Sequence, residues 1–499
     1  MTSGQGVRGQ AGERLAADLP GLLESLLDTP VLVMGDAMLD RFVEGRVERI
    51  SPEGPIPVLR IERESATLGG AGNVLRNLAA LGLAPHFLTA VGNDVAGRDI
   101  QRLAGEILGG GARLLVDPTI TTTIKERFLS GGQQLLRADR EADQLAKPAI
   151  VETLLELAEG QLGEVRALLL SDYGKGMLRH ERLPRLIAAA RAAGLPVVID
   201  PKGRDYSLYR GASFVTPNRR ELQEASGLSV GEPDQVVTAC RRLIADHGID
   251  AVLATLSEQG MILVRRDGDS VHLPAEAREV FDVSGAGDTV LATFGAALAA
   301  GAAAETAAQL ANVAAGVVVG KRGTAVAYPA EILRAAQAQR LRGAELKVVD
   351  ARTAAQEAAD WRRAGLKVGF TNGCFDLLHP GHIHLLDQAR DACDRLIVGL
   401  NSDSSVKRLK GDGRPIQDEA ARATVLASLA DVDRVVVFAE DTPLELIEQI
   451  RPDVLVKGAD YTVEQVVGRE VVESYGGRVV LAELKQGHST SATIRKLAG

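Results

Sequence analysis

Residues 281–294 read FDVSGAGDTVLATF. Phe281–Val283 reads as the end of a strand or a loop. Ser284–Gly287 are small and glycine-rich, and Asp288 then opens an alanine-rich helix. Gly285, Ala286 and Gly287 let backbone N–H groups converge at a helix N-terminus, which attracts an anion. A carboxylate there would compete with that anion. It makes chemical sense as a general base beside a transferring phosphoryl group. The competing structural explanation is a plain N-cap preceded by glycines.

Upstream, short apolar runs end in polar or glycine residues: VLVMGD (31–36), ALLLSDYG (167–174), PVVIDPKG (196–203), SFVTPN (213–218) and AVLATLSEQG (251–260). A helical stretch usually follows each one. Buried parallel strands look like this, with functional groups at their C-terminal ends. The expectation is an α/β domain with a largely parallel sheet. Residues 41–70 break the pattern: PVLRIERESATLGG carries alternating charge and reads as a small separate sheet, a lid.

The chain has 499 residues, 45% hydrophobic and 25% charged, which suits a soluble globular protein of two or more domains. Its net charge of −9 argues against nucleic acid as a partner. Three scattered cysteines, Cys240, Cys374 and Cys393, argue against a disulfide framework and a cysteine zinc site. The N-terminus lacks an apolar signal core, and Thr289–Ala304 is too short and weakly apolar to span a bilayer. These features predict a cytoplasmic protein with no membrane partner and a flexible tail over residues 1–20. After Ala325 the chain turns helical and charged. The expected division is a first domain over 1–342, a connecting helix over 343–366 and a second α/β domain over 367–499.

The loop Asp282–Asp288 strongly resembles the D-x-x-G-A-G-D loop of ribokinase-like sugar kinases. GGAGNVLRNLAALG (69–82) resembles that family's N-terminal glycine signature, and Asn218–Glu221, NRRE, its N-x-x-E element. The resemblance covers roughly 30–325, and no P-loop motif is present. It implies Asp288 as the base that deprotonates the acceptor hydroxyl. Gly285, Ala286 and Gly287 would hold the phosphoryl charge. Asn218, Arg219, Arg220 and Glu221 would lie at the ATP, with Glu221 organising Mg2+, also through water. Asp36, Asp40 and Asn73 would bind sugar hydroxyls, although an Asp after a strand, as Asp36 is, also serves as a turn former. A monovalent cation in the kinase domain is implied too. The run DRF…RISPEGPIPV (40–58) is similar to the bacterial heptose 7-phosphate kinases within that family. Lys202 and Arg137 are basic residues available for the 7-phosphate; a solvated surface charge is the alternative for each.

In the second domain, strand LKVGF leads into TNGCFDLLHPGHIHLL (371–386). Pro380 and Gly381 break the chain before an amphipathic helix, so His379 and His382 sit at its first turn, where phosphate is favoured. A zinc site would want ligands at i and i+4 plus others; His488 is the domain's one further histidine besides His384, which reads as a packing residue. H-x-G-H occurs in nucleotidyltransferases and in class I aminoacyl-tRNA synthetases, but no K-M-S-K-S loop follows. GHSTSATIRK (487–496) and VKGADY (456–461) resemble nucleotidyltransferase motifs, and NSDSSVKRLKGDGRP (401–415) supplies Lys407, Lys410 and Arg414 on a loop expected to move. The resemblance, over about 366–499, implies that His379 and His382 stabilise charge at the reacting phosphate. Thr371, Asn372, Gly373, Phe375, Lys410, Ser489, Thr490 and Arg495 would contact ATP.

Together the halves resemble the bifunctional heptose 7-phosphate kinase/heptose 1-phosphate adenylyltransferases. That resemblance implies heptose phosphates and ATP as substrates, Mg2+, ADP-heptose for the lipopolysaccharide inner core as product, and a homodimer. The rival readings are the same folds acting on another sugar phosphate or on CTP, and a domain that only senses nucleotide.

Overall fold

The computed structural model describes residues 19–109, 113–141, 147–275, 280–459 and 461–483. The chain divides into two compact units between Ala336 and Gln337, inside helix Pro329–Lys347. Among the described residues no helix is long and apolar enough to cross a membrane, and all three cysteines are free.

In the N-terminal unit the apolar runs pair into one nine-stranded sheet. Its order is Ser270–Leu273, Met261–Arg265, Ala251–Thr255, Phe214–Val215, Val197–Asp200, Leu168–Ser171, Pro30–Gly35, Ala84–Gly92 and Arg113–Asp117. The strands from Ala251–Thr255 to Arg113–Asp117 are parallel, and the first two are antiparallel. Side chains alternate between the faces. Val31, Val33, Leu169 and Val198 join one hydrophobic cluster; Leu32, Met34, Leu168, Leu170 and Ile199 join another. Burial on both faces explains why these strands read as continuous apolar runs. Helices Ala71–Ala80 and Ala286–Ala299 cover the first face through Val74, Leu78, Leu291 and Phe294.

The expected lid is a separate four-stranded sheet, ordered Pro57–Gly70, Ala37–Ile50, Ile124–Ser130 and Gln133–Arg140. Strand Ala37–Ile50 continues directly from the main-sheet strand Pro30–Gly35, with Asp36 at the junction. Asp40 is paired in register with Lys125 of the lid.

The second unit holds a five-stranded parallel sheet. Its order is Arg434–Phe438, Arg395–Asn401, Val368–Gly373, Val454–Gly458 and Arg478–Ala482. The first strand in sequence lies centrally, so the winding reverses between it and Val454–Gly458. In open α/β sheets ligands bind at the carboxyl ends beside such a reversal. Segment 343–366, expected as one connecting helix, is interrupted. Helix Pro329–Lys347 ends, Val348 forms a bridge to Val435, and helix Ala351–Arg363 starts after an Asp350 N-cap that accepts from Thr353 N–H at 2.7 Å. Its Ala354 and Ala358 are buried with Val368, Phe370 and Ile397, so this helix covers the second sheet.

Candidate active sites

Asp288 lies in the first turn of helix Ala286–Ala299 and is buried. Asn73 Nδ2 donates to its Oδ2 at 2.9 Å, and the Tyr173 hydroxyl donates to its Oδ1 at 2.8 Å. Burial pushes the carboxyl up to about 6; the two donors pull the other way. A buried carboxylate with a pKa near neutrality is suited to general-base work. Gly285 caps the helix in the left-handed region at φ 80, and a Cβ on it would come within 2.6 Å of Asn73 Nδ2. The glycine is therefore what lets the loop close onto Asn73.

The three residues expected on the sugar all have protein partners. Asp36 is turned inward: its carboxylate accepts from the N–H groups of Tyr173, Lys175 and Met177 at 2.8, 3.0 and 3.1 Å. These partners lie far along the chain and not in its own turn, and through them it shapes the loop 172–177. Burial and Asp172 raise its pKa to about 6. Asp40 is ion-paired with the buried Arg127 at 2.5 Å. Asn73 accepts from Arg76 Nη1 at 3.0 Å while donating to Asp288. Arg76, Lys125, Arg127, Tyr173 and Asp200 were not singled out in the sequence. Lys125 stands 5.1 Å from the Tyr173 ring centre, and its pKa is lowered by burial.

On the nucleotide side, Asn218 and Glu221 form a reciprocal capping box at the start of helix Arg219–Ser226. Glu221 also pairs with Lys202 at 2.8 Å, which places that lysine beside Glu221. Glu221 and Asp288 both raise the pKa of Asp200, after burial. Arg219 is spent on the Val230 and Gly231 carbonyls and on Gln259. Arg220 pairs with Glu224 at 2.7 Å and its side chain is 87% exposed. Arg137 is on the exposed lid strand, paired with Asp139 at 2.9 Å. Among the described residues no cluster of three acidic, histidine or cysteine side chains can hold a metal. A single carboxylate, Glu221, already engaged by Lys202 and the Asn218 N–H, is compatible only with a Mg2+ ion carried mainly by nucleotide phosphates.

In the second unit His379 is the N-cap of helix Pro380–Asp391, and His382 lies in the first turn. Their rings stack with centroids 3.8 Å apart, and Phe375 packs on His382 at 5.1 Å. Burial, then His379 and Lys410, lower the His382 pKa to about 4. The ring is thus neutral at physiological pH, a donor and acceptor in place of a standing cation. Lys410 is close enough to contribute to that shift and ends helix Asp403–Lys410. His384 is not in the core: it is half-buried and lines an open groove with Leu378, Pro380, Ile383 and Asp387. Thr371 is fully buried in its strand, and the Phe375 side chain belongs to the core; Asn372 and Gly373 are half-buried at the strand end. Lys457 donates to the Asn372 carbonyl at 3.0 Å. Ser489, Thr490, Arg495 and His488 lie outside the described residues.

Lys407 is on the helix and pairs with Asp412, while Arg414 is tied to Asp376. Asp376 also accepts from Ile416 N–H at 2.7 Å. Arg414 therefore anchors its loop to the strand end. Beneath it Arg422, fully buried and not foreseen from the sequence, donates to the carbonyls of Cys374, Asn401 and Gln417 at 2.6, 2.8 and 3.0 Å and to Asp403 at 2.6 Å. It joins the segments before and after the histidine helix. Arg422→Ala strands these carbonyls, while Asp403 is partly exposed, and is expected to cost about 1–3 kcal/mol, read as an earlier unfolding step in urea denaturation of the whole chain.

A buried carboxylate at a glycine-rich helix start in one unit, and paired histidines at a helix start in the other, suit a phosphotransferase joined to a nucleotidyltransferase. Residues 28–331 match the pfkB family of carbohydrate kinases, and residues 370–495 match cytidylyltransferase-like domains. The chain is 59% identical over 477 residues to "Bifunctional protein HldE" of Paramagnetospirillum magneticum, covering 96% of this chain and 98% of that protein. It is 56% identical over 481 residues to the Rhodospirillum rubrum protein of the same name, covering 96% and 97%. The chain belongs to the HldE family of bifunctional proteins, and it is a kinase and nucleotidyltransferase in one polypeptide. Phosphofructokinase-2 from Escherichia coli shares the fold of the N-terminal unit. Its tetrameric inhibited form gives a TM-score of 0.52 at 20% identity, and its complex with substrates and products 0.51 at 21%; each covers 62% of this chain and 99% of that one.

Proposed function

We propose that the chain performs two steps of ADP-heptose synthesis. In the first, the N-terminal unit transfers the γ-phosphoryl of ATP to the anomeric hydroxyl of D-glycero-β-D-manno-heptose 7-phosphate, giving the 1,7-bisphosphate. A separate phosphatase then removes the 7-phosphate. In the second, the C-terminal unit joins heptose 1-phosphate to AMP from ATP and releases pyrophosphate. The product serves the lipopolysaccharide inner core. The observation that carries this reading is the full-length similarity to HldE proteins at 59% identity, together with a complete Asp288 site in the matched kinase region.

Asp288 takes the proton of the acceptor hydroxyl. That oxygen attacks the γ-phosphorus, and ADP leaves with the electrons of the broken P–O bond. The N–H groups of Gly285 and Gly287 face the charge that develops, while Ala286 gives its N–H to the Val283 carbonyl at 3.2 Å. Glu221 would hold Mg2+, also through water, and the ion would supply neutralisation of phosphate charge. In the second unit the sugar phosphate oxygen attacks the α-phosphorus in line, so no side-chain nucleophile is required. His379, His382 and Lys410 stabilise the charge that moves to pyrophosphate. Thr371, Asn372, Gly373 and Phe375 would contribute through their backbone, and Ser489, Thr490 and Arg495 would hold the outer phosphates. A cytoplasmic homodimer and a monovalent cation in the kinase unit complete this reading.

The test is mass spectrometry of the protein with Mg-ATP and heptose 7-phosphate, with and without a sugar-bisphosphate phosphatase. The bisphosphate alone, becoming ADP-heptose when the phosphatase is added, is the expected result. No product from ATP, with turnover of CTP or of another sugar phosphate, would overturn the substrate assignment.

A further inference from the structure

The loop Asp172–Met177 is clamped by two buried carboxylates. Asp36 accepts three of its backbone N–H groups, as described above. Asp172 accepts from Gly174 N–H at 2.6 Å and from the Tyr209 hydroxyl at 2.5 Å. Both aspartates are buried, and neither is open to a ligand. What the clamp holds in place is the Tyr173 side chain, whose hydroxyl ends 2.8 Å from Asp288 Oδ1. Burial and the neighbouring carboxylates push the phenol well above its ordinary range, so it is always a donor.

Asp288 then receives one donor on each oxygen. The Asn73 amide has a fixed orientation, because its Oδ1 accepts from Arg76 and a guanidinium can only donate. Arg76 is in turn held by the Thr324 carbonyl at 2.8 Å. Each carboxylate oxygen keeps a further lone pair that can accept a hydroxyl proton.

We propose that Tyr173 is a positioning residue of the kinase: its hydroxyl orients the Asp288 carboxylate toward the acceptor hydroxyl and keeps it ionised at neutral pH. The inference rests on Asp288 as the base. Tyr173 moves no proton in the reaction; the acceptor proton goes to Asp288. Other charged groups face this carboxylate. Asp40 and Lys125 come from the two lid strands, Arg76 from helix Ala71–Ala80 and Asp200 from the end of its strand. Asp40 raises its pKa and Lys125 lowers it. Tyr173 is the one of these neighbours whose donation can be removed without changing net charge or volume by more than an oxygen.

The experiment is Tyr173→Phe, with kinase kcat and KM measured from about pH 5.5 to 9 and the urea unfolding midpoint of the kinase unit as the control for folding. Losing a donor to the charged form raises the pKa of the base. A hydrogen bond to a charged group corresponds to about one to two pH units. The acid limb of kcat is expected to move up by that amount, so that turnover falls roughly tenfold at pH 6.5 and recovers toward pH 9. KM for the sugar should change little. A uniform loss across pH, an unmoved limb, or a rise in KM at constant kcat would each overturn the proposal. Asp288→Asn is measured alongside. If it keeps kinase activity, the base reading fails and Tyr173 falls with it. If it is inactive while Tyr173→Phe behaves as the unaltered protein, only the Tyr173 role is lost.

Discussion

Asp288→Asn is expected to lower kinase turnover by about three orders of magnitude, within the usual worth of a positioned base, and to leave adenylyl transfer nearly intact. The amide is almost isosteric with the carboxylate but cannot take the acceptor proton. It also offers one acceptor oxygen to two donors, Asn73 Nδ2 and the Tyr173 hydroxyl. One buried donor is left unpaired, at a cost of about 1–3 kcal/mol. That cost should show as a lowered unfolding midpoint of the kinase unit, too small to account for the lost turnover. The unaltered enzyme should lose kinase rate as pH falls through about 6, because burial raises the Asp288 pKa to that value and the protonated form is no base. Coupled assays for ADP and pyrophosphate on one preparation separate the two activities. Equal loss of both would sink the assignment of the base to one unit.

His382→Ala should do the reverse. Removing one preorganised group that stabilises transition-state charge costs about 10²–10³-fold in rate, so pyrophosphate release should drop by that factor with the kinase unchanged. The ring is wedged between Phe375 and His379, so its loss also takes away the surface on which His379 stacks. The expected pH behaviour follows from its lowered pKa. In the free enzyme His382 stays neutral down to about pH 4, so kcat/KM for adenylyl transfer should show no inflection near 6.5 from this group. Phosphate oxygens arriving beside the ring favour its protonated form and raise its affinity for a proton as the pyrophosphate leaves. Full pyrophosphate release by the variant would mean that the stacked histidines do not grip the reacting phosphate.

Much of the fold was legible because buried parallel strands leave a plain mark. VLVMG and LLLS are apolar at consecutive positions since both faces of the sheet are covered. The lid was visible only over 41–70, where Pro57–Gly70 carries alternating charge and exposed residues; Ile124–Ser130 and Gln133–Arg140 were not foreseen as part of it. The interruption at 348–350 was missed, because an Asp350 N-cap inside a charged helical stretch looks like any other acidic residue. His384 was misread as a packing residue because its neighbours Leu385 and Leu386 are apolar, yet its own position on the helix faces an open groove. Arg414, read as part of a loop expected to move, is held by Asp376.

By itself the sequence determined the two α/β units, their order, and the residues proposed for the chemistry in local motifs: Asp288 with its glycines, and His379 with His382. Motifs are local because a loop and the helix it starts are built from consecutive residues. Only the tertiary structure decided how those residues are supported. Asn73 reaches Asp288 across 215 positions of sequence, Asp36 holds backbone 137 to 141 positions away, and Arg422 gathers carbonyls from three separate segments. Such pairs leave no period or spacing in the chain. They exist because a buried carboxylate or guanidinium must find partners wherever the packed fold brings them.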